Sequence, residues 1–408
     1  MQISFSILFS IAIILTTQSC LIDSIAGSSG RTPEEMESGL SKEASAFLDK
    51  VYEGIVPEQL VDYHTHIVGI NEEKTGAYVN KNMLKWWHIK DYIRFLVYKS
   101  SLKIDSLDNA DEEVIQRLAL LIRSNRRHGK HYILAFDKHY NKDGTVNESK
   151  TEFYVPNEYI YNLSQKNPDI FLPAISIHPY RKDALDELDK WGKKGVKLLK
   201  WLPNAQGMNP SDPDLEPFYK KMVQYKISLL THAGEEKAVD AEEDQKLGNP
   251  LLLRFPLDLG VKVIVAHCAS LGTNEDLDNK DRNQVDNYEL FLRLMDTKKY
   301  EGLLFGETSA QAQFNRLSKP IEAIIKRQDL HKRLVNGSDY PLPAVNIVIR
   351  TGKLVSLGLI TDDERKYLNE IYEFNPLVFD FAVKRAIRLK ENNLKLSDSV
   401  FMKNPGLK

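Results

Sequence analysis

Val61-Asp62-Tyr63-His64-Thr65-His66 is the stretch from which the rest of the chain is read. An apolar lead-in runs into two histidines two positions apart, and in a β-strand residues i and i+2 point to the same face. Both imidazoles then converge at the end of one strand, as a first-row metal ion requires. A strand-end histidine taken alone is more often a packed structural group than a ligand. This pair gains meaning because further candidate ligands end three later strands.

Working outward, apolar β-rich runs alternate with amphipathic helical runs. The strands are expected over 60–67, 132–136, 171–177, 196–202, 227–233, 261–269, 302–308 and 334–339. Between them lie patterns such as Leu215, Phe218, Met222 and Tyr225 at near-helical spacing. Such alternation implies a parallel sheet, and eight units imply an α/β fold, a (β/α)8 barrel. The first unit is too long for one crossover. Residues 68–129 therefore read as a helical insertion covering the barrel mouth. The basic run 123–130 closes a helix (Val114, Leu118, Leu121), with Gly129 as its stop. The polar stretch 274–287 reads as a solvated loop. Residues 346–408 read as a helical tail, broken at Gly358 and again at Asn375-Pro376.

The 408 residues are 27% charged and 42% hydrophobic, a globular composition. A formal net charge of −2 speaks against nucleic acid as a partner and leaves a small molecule as the expected substrate. With two cysteines, Cys20 and Cys268, no disulfide framework is expected; Cys268 reads as a small buried filler. Residues 3–15 are nearly all apolar but too short for a comfortable membrane span. They suit a signal peptide over 1–19, followed by Ser19-Cys20 and a Ser/Gly-rich stretch. This resembles a bacterial lipoprotein signal with Cys20 acylated, although Leu15 is misplaced and the first residues carry no Lys or Arg. The expectation is an exported, periplasmic or membrane-anchored protein that touches membrane only through that anchor. A linker over 20–45, a barrel over 46–345 and the tail over 346–408 complete the organisation. The sequence does not speak to oligomeric state.

His64 and His66 end the first expected strand. His232 ends the fifth (Leu229-Leu230-Thr231-His232), His267 the sixth (Val265-Ala266-His267-Cys268) and Asp339 the eighth (Asn336-Gly337-Ser338-Asp339-Tyr340-Pro341). Barrel enzymes carry their chemistry on that rim.

These residues together resemble the amidohydrolase superfamily, and Val196-Lys197-Leu198-Leu199-Lys200 with Pro203 and Gln206-Gly207 looks like the strand-four region of its second large sequence group. The resemblance spans roughly residues 58–345. It implies a metal-dependent barrel enzyme, usually a hydrolase and sometimes a non-oxidative decarboxylase, with His64, His66, His232 and Asp339 as the secure ligand shell. Imidazoles with one carboxylate suit one or two divalent ions, zinc first, with iron, manganese or cobalt as alternatives. Such an ion lowers the pKa of water and polarises a carbonyl. Asp339 then serves as ligand and proton acceptor. His267 serves either as ligand or as a hydrogen-bond donor to an oxyanion.

Lys200 decides the metal count. If Val196, Leu198 and Lys200 face the barrel interior, Lys200 reaches the rim, and burial favours its neutral amine. It then carries a carbamate bridging two metals, as in some relatives, or else it is salt-bridged or faces substrate. Trp201, Asn204, His178 and Tyr340 are candidates for substrate contact. Asp137, His139, Glu307 and Ser309 are weaker rim candidates, for which turn formation, capping or support of a ligand is the plainer role. The leading expectation is hydrolysis of an amide, lactone or ester. A decarboxylase on the same scaffold and a non-catalytic surface lipoprotein are the competitors. Specificity is expected from 68–129 and from the loop after Trp201.

Overall fold

A computed structural model describes residues 30–239 and 241–407. The signal peptide over 1–19 and acylation of Cys20 lie outside the described residues. All eight expected strands are present: β1 (Val61–His66), β2 (Lys130–Leu134), β3 (Phe171–Ile175), β4 (Leu198–Trp201), β5 (Ser228–Thr231), β6 (Val263–Val265), β7 (Leu304–Glu307) and β8 (Leu334–Val335). They pair in parallel in chain order. The residues after β8 return to β1: Tyr63 N donates to Asn336 O (2.9 Å), Asp339 N to His64 O (2.7 Å) and His66 N to Tyr340 O (2.9 Å). These bonds join the last strand's segment to the first and give the (β/α)8 barrel its ring.

Strand parity sorts the side chains. Leu134, Leu198, Leu230, Ile264, Phe305 and Val335 fill the interior. Leu199, Trp201, Leu229, Val263 and Leu304 pack outward against the helical shell. That shell includes α4 (Asn157–Lys166), α5 (Ala184–Lys193), α6 (Glu216–Tyr225), α7 (Arg254–Asp258), α8 (Asn287–Met295) and α9 (Lys319–Lys326). β1 breaks the alternation. Asp62 pairs with His131 but Thr65 with Ile133, so β1 spends one more residue than β2 over the same step. This is a bulge, which re-aims the residues beyond it. Val61 and Tyr63 stay with the interior cluster, yet His64 and His66 still reach the rim site.

β6 and β8 fall furthest short of their expected lengths. β6 stops at Val265 because His267, Cys268 and Ala269 all take left-handed φ (55°, 50° and 52°). β8 stops at Val335, and Asp339 also has positive φ (58°). Left-handed backbone costs about 1–2 kcal/mol per non-glycine residue. Four such residues on the rim, including a histidine and an aspartate aimed at one space, mark strain held in place by surrounding structure.

The insertion contains α2 (Ile89–Ser101) and α3 (Ala110–Arg123). Val114, Leu118 and Ile122 of α3 seat it on the barrel through a cluster that includes Ile67 and Tyr340. A short ribbon, Tyr78–Val79 against Phe153–Tyr154, ties it to the loop after β2. Helix α3 ends at Arg123 and not at Gly129. Gly129 is small for another reason: a Cβ there would overlap the Leu60 carbonyl. Within 274–287 there is structure as well, since Thr273–Glu275 pairs antiparallel with Gln284–Asp286.

The end of the stretch read as a linker is packed. Met36 is buried, and α1 (Lys42–Val51) starts at Ser41, whose hydroxyl accepts from Ala44 N (3.2 Å) and donates to Glu370 (2.7 Å). In the tail, Gly358 (φ 70°) separates α10 (Thr351–Ser356) from α11 (Asp362–Phe374), and Asn375 caps α12 (Pro376–Ala386). Buried Lys384 of α12 pairs with Asp380 (2.6 Å) and donates to Gly337 O (2.7 Å), so the tail supports the rim loop that carries Asp339. Among the described residues no helix is long and apolar enough to cross a membrane.

Candidate metal centre

The bulged end of β1 brings His64 Nε2 to 3.2 Å from His66 Nε2. Asp339 Oδ1 lies 3.4 Å from the first and 3.3 Å from the second. His267 Nε2 is 3.9 Å from Asp339 Oδ2, and its ring stacks on His64 with centroids 5.1 Å apart. The His232 ring meets His267 edge-on at 5.3 Å. The ligand atoms of His64, His66 and Asp339 all lie within 4.8 Å of one another. Five residues from four strand ends thus share one space.

The Nδ1 atoms explain how the rings are held. His64 Nδ1–H donates to Glu307 Oε2 (2.9 Å). Ser309 Oγ donates to the same oxygen (2.7 Å) and accepts from His267 Nδ1–H (2.8 Å). His232 Nδ1 faces Glu236 Oε2 at 3.4 Å. A histidine whose Nδ1 carries the proton presents a bare lone pair on Nε2. One buried carboxylate, Glu307, therefore sets the tautomer of two imidazoles, the usual partner arrangement of metal-binding histidines. Gly337 lets the rim loop approach, since a Cβ there would meet the His64 Cβ at 2.7 Å and would also crowd Glu307.

Charge follows burial. Desolvation holds His64 and His267 well below the ordinary histidine value and brings His232 to about 3. Neutral imidazoles are the ligating form. Burial lifts Glu307 to about 7 and pulls Lys200 down to about 8. Lys200 is buried on the interior face, its Nζ 3.1 Å from His64 Nε2. His232 Nε2 is buried with no hydrogen-bond partner. An unpartnered buried nitrogen costs free energy unless something binds it. The donor set of imidazole nitrogens, a carboxylate and a buried amine fits a borderline divalent cation.

The His267 tautomer narrows its role. With Nδ1–H given to Ser309, Nε2 accepts or ligates. Donation to an oxyanion would need an imidazolium, which burial disfavours.

Above this floor lies a cavity of about 280 Å³. The insertion supplies part of its wall, including Phe95, Tyr98 and Leu102. Burial and the negative charge of Asp339 both push the Tyr98 phenol up, placing it within electrostatic reach of the floor. Arg316, also lining the cavity, is buried; Nη1 donates to Ser270 Oγ (3.2 Å) and Nε lacks a partner. Arg316, Glu236 and Tyr98 had no periodic or motif signal in the sequence. Glu307 and Ser309 stood among the weaker candidates, flagged only by their place after a strand.

Four expected substrate contacts lie elsewhere. Trp201 is fully buried against Phe218 and Tyr219, with its indole N–H bonded to Ile177 O (2.8 Å). Strand parity is the reason: with Lys200 inward, Trp201 points outward. Tyr340 packs in the cluster under α3. His178 is fully buried and hydrogen-bonds Gln206 O through Nε2 (2.8 Å). Asn204 donates to Gly234 O (3.1 Å) and lines a separate cavity of about 310 Å³ with His139. Asp137 accepts from His178 N (2.7 Å) and pairs with Arg181 (3.1 Å). Cys268 is buried, its thiol against Gly306, as a small filler would be.

A family model described as Amidohydrolase matches residues 61–373. A comparison with curated proteins returns no match. Among solved structures, the chain is similar to an uncharacterized TIM-barrel protein from Bordetella bronchiseptica, with 15% identity, 76% of this chain and 94% of that chain covered, and a TM-score of 0.48. It is similar to 5-carboxyvanillate decarboxylase from Novosphingobium aromaticivorans, solved with bound manganese, at 11% identity, with 86% and 97% covered and a TM-score of 0.48. For 4-oxalomesaconate hydratase from Rhodopseudomonas palustris the values are 16%, 76%, 88% and 0.39.

Proposed function

This chain belongs to the amidohydrolase family, and from that premise we propose that it is a metal-dependent hydrolase cleaving a C–N or C–O bond, in an amide, lactone or ester, of a small-molecule substrate. The observation that carries this reading is the convergence of His64, His66 and Asp339 within 3.4 Å beside the unpartnered His232 Nε2. His64, His66, His232 and Asp339 would hold the ion, zinc being the first choice, with His267 as a further ligand. Lys200 would hold a second ion once its amine is carboxylated, and its low-lying ammonium favours that state. A divalent cation bound there supplies Lewis-acid polarisation of a carbonyl and lowers the pKa of water to about 7.

The chain's own groups do the rest. The Asp339 carboxylate faces His64 and His66 with one oxygen and His267 with the other, so it can take a proton from the nucleophile without moving. His267 Nε2, left bare by the Nδ1–H bond to Ser309, would face the ion as a further ligand and not take that proton. Glu307 and Ser309 hold the rings so that each Nε2 stays bare. The apolar wall of the insertion excludes water and strengthens these electrostatic contacts.

One observation favours a second reading, a decarboxylase or other lyase. The buried Arg316, with Nε unsatisfied, is suited to hold a substrate carboxylate beside the floor. Elemental analysis of the purified protein, followed by assays of amides, lactones, esters and aromatic acids in ¹⁸O-labelled water, tests both. Label in the organic product supports hydrolysis; release of CO₂ with no label in the organic product supports the lyase. Protein that retains no transition metal sinks both readings and leaves a non-catalytic surface protein.

A further inference from the structure

Twelve large apolar side chains are exposed among the described residues, and five of them, Leu84, Trp86, Trp87, Ile89 and Ile93, fall within one short stretch of the insertion. Trp86 is 71% exposed and Trp87 59%, whereas the other two tryptophans of the chain, Trp191 and Trp201, are 0% exposed. A helix turns about 100° per residue. Ile89 and Ile93 of α2 therefore share one side, and Phe95, Tyr98 and Leu102, which line the cavity, lie on the other. Leu107 and Phe314 are also exposed and also line the cavity. The apolar surface outside and the apolar wall inside are two faces of the same element.

Charge identifies what covers the patch. Residues 81–99 contain Lys81, Lys85, Lys90 and Lys99 against the single acid Asp91, with Arg94 paired to Glu152, in a chain whose net charge is −2. A soluble surface rarely carries so concentrated an apolar patch without a partner. Tryptophans flanked by lysines are the composition of a segment lying in a membrane interface. A second copy docked on the same patch would set lysines against lysines.

We propose that this face docks on an anionic bilayer. Trp86, Trp87, Ile89 and Ile93 enter the boundary between headgroups and acyl chains, and Lys81, Lys85 and Lys90 meet lipid phosphates. Helix α2 then has the bilayer on one side and the cavity on the other, which brings the mouth to a surface where amphipathic substrates collect. The proposal does not depend on which reaction the floor performs.

The distribution of tryptophan supplies the test. Full-length protein is mixed with vesicles of phosphatidylglycerol and phosphatidylcholine carrying brominated acyl chains. The expected result is a blue shift and loss of about half the tryptophan emission, since only Trp86 and Trp87 reach the quencher. W86S/W87S should lower vesicle partitioning about tenfold. K81E/K85E should lower it by a similar factor on anionic vesicles and leave neutral vesicles unaffected. Wild-type metal content in both variants shows that the floor is intact. Co-sedimentation with vesicles but without quenching overturns the proposal, because the N-terminal segment alone would then carry the protein. A dimer in lipid-free sedimentation that W86S/W87S dissolves also overturns it and assigns the patch to a second copy.

Discussion

The floor and the roof of the cavity are built by different rules. The floor is polar and buried and comes from strand ends, where strand parity places Lys200, one bulge aims His64 and His66, and left-handed backbone beyond the strands carries His267 and Asp339. The roof is apolar and half-exposed and comes from an insertion seated by ordinary helix packing. A strand residue shifted by one position changes face altogether. A helix residue shifted by one merely rotates. The candidate ligands thus sit where geometry is unforgiving, and the cavity wall sits where it can be changed.

Substitutions that break or sharpen this contrast can be ranked. Asp339→Asn, on the floor, should lower kcat about 10⁴-fold with little change in melting temperature; activity within tenfold of wild type would place the proton acceptor elsewhere. Trp201→Ala lies one residue from Lys200 but on the opposite face, so it should destabilise the fold by about 3–5 kcal/mol in denaturant unfolding while the folded fraction keeps its metal. The reverse pattern, stability kept and KM raised, would return Trp201 to the cavity. Glu307→Gln should weaken metal binding about 10–100-fold in chelator competition, because it orients His64 and supports His267 without being required as a ligand. Phe95→Ala, in the roof, should lower kcat/KM about tenfold with metal content unchanged. Tyr340→Phe should be the mildest: its hydroxyl is buried without a partner, so removing it should change stability by about 0–1 kcal/mol, in the stabilising direction, and leave KM alone.

What could be read from the amino acids divides along the same line. Apolar β-rich runs alternating with helical patterns mark the buried strands of a parallel sheet, and all eight barrel strands were legible. His64, His66, His232, His267, Asp339 and Lys200 were legible with them, because a strand end locates a side chain. Trp201 reads from the sequence as a substrate contact, yet the parity that turns Lys200 inward turns it outward into the helical shell. The left-handed backbone at His267–Ala269 leaves no periodic mark, so the apolar run 261–269 extends past the end of β6. Arg316 and Tyr98 were invisible because they reach the site from irregular chain and from a distant helix, where spacing carries no directional information. Gly129 looked like a helix stop, but it answers to the Leu60 backbone, a contact between residues far apart in sequence.

The bulge in β1 makes the activity separable from the fold. Deleting its extra residue would restore regular pairing with β2 and swing both leading histidines away from the others, yet it would leave the hydrophobic interior largely as it is. A lineage could thereby lose catalysis in one step and keep a well-folded barrel. Lengthening or recasting 68–129 would instead alter what is admitted and spare the reacting groups, so this architecture is fragile in mechanism and permissive in specificity.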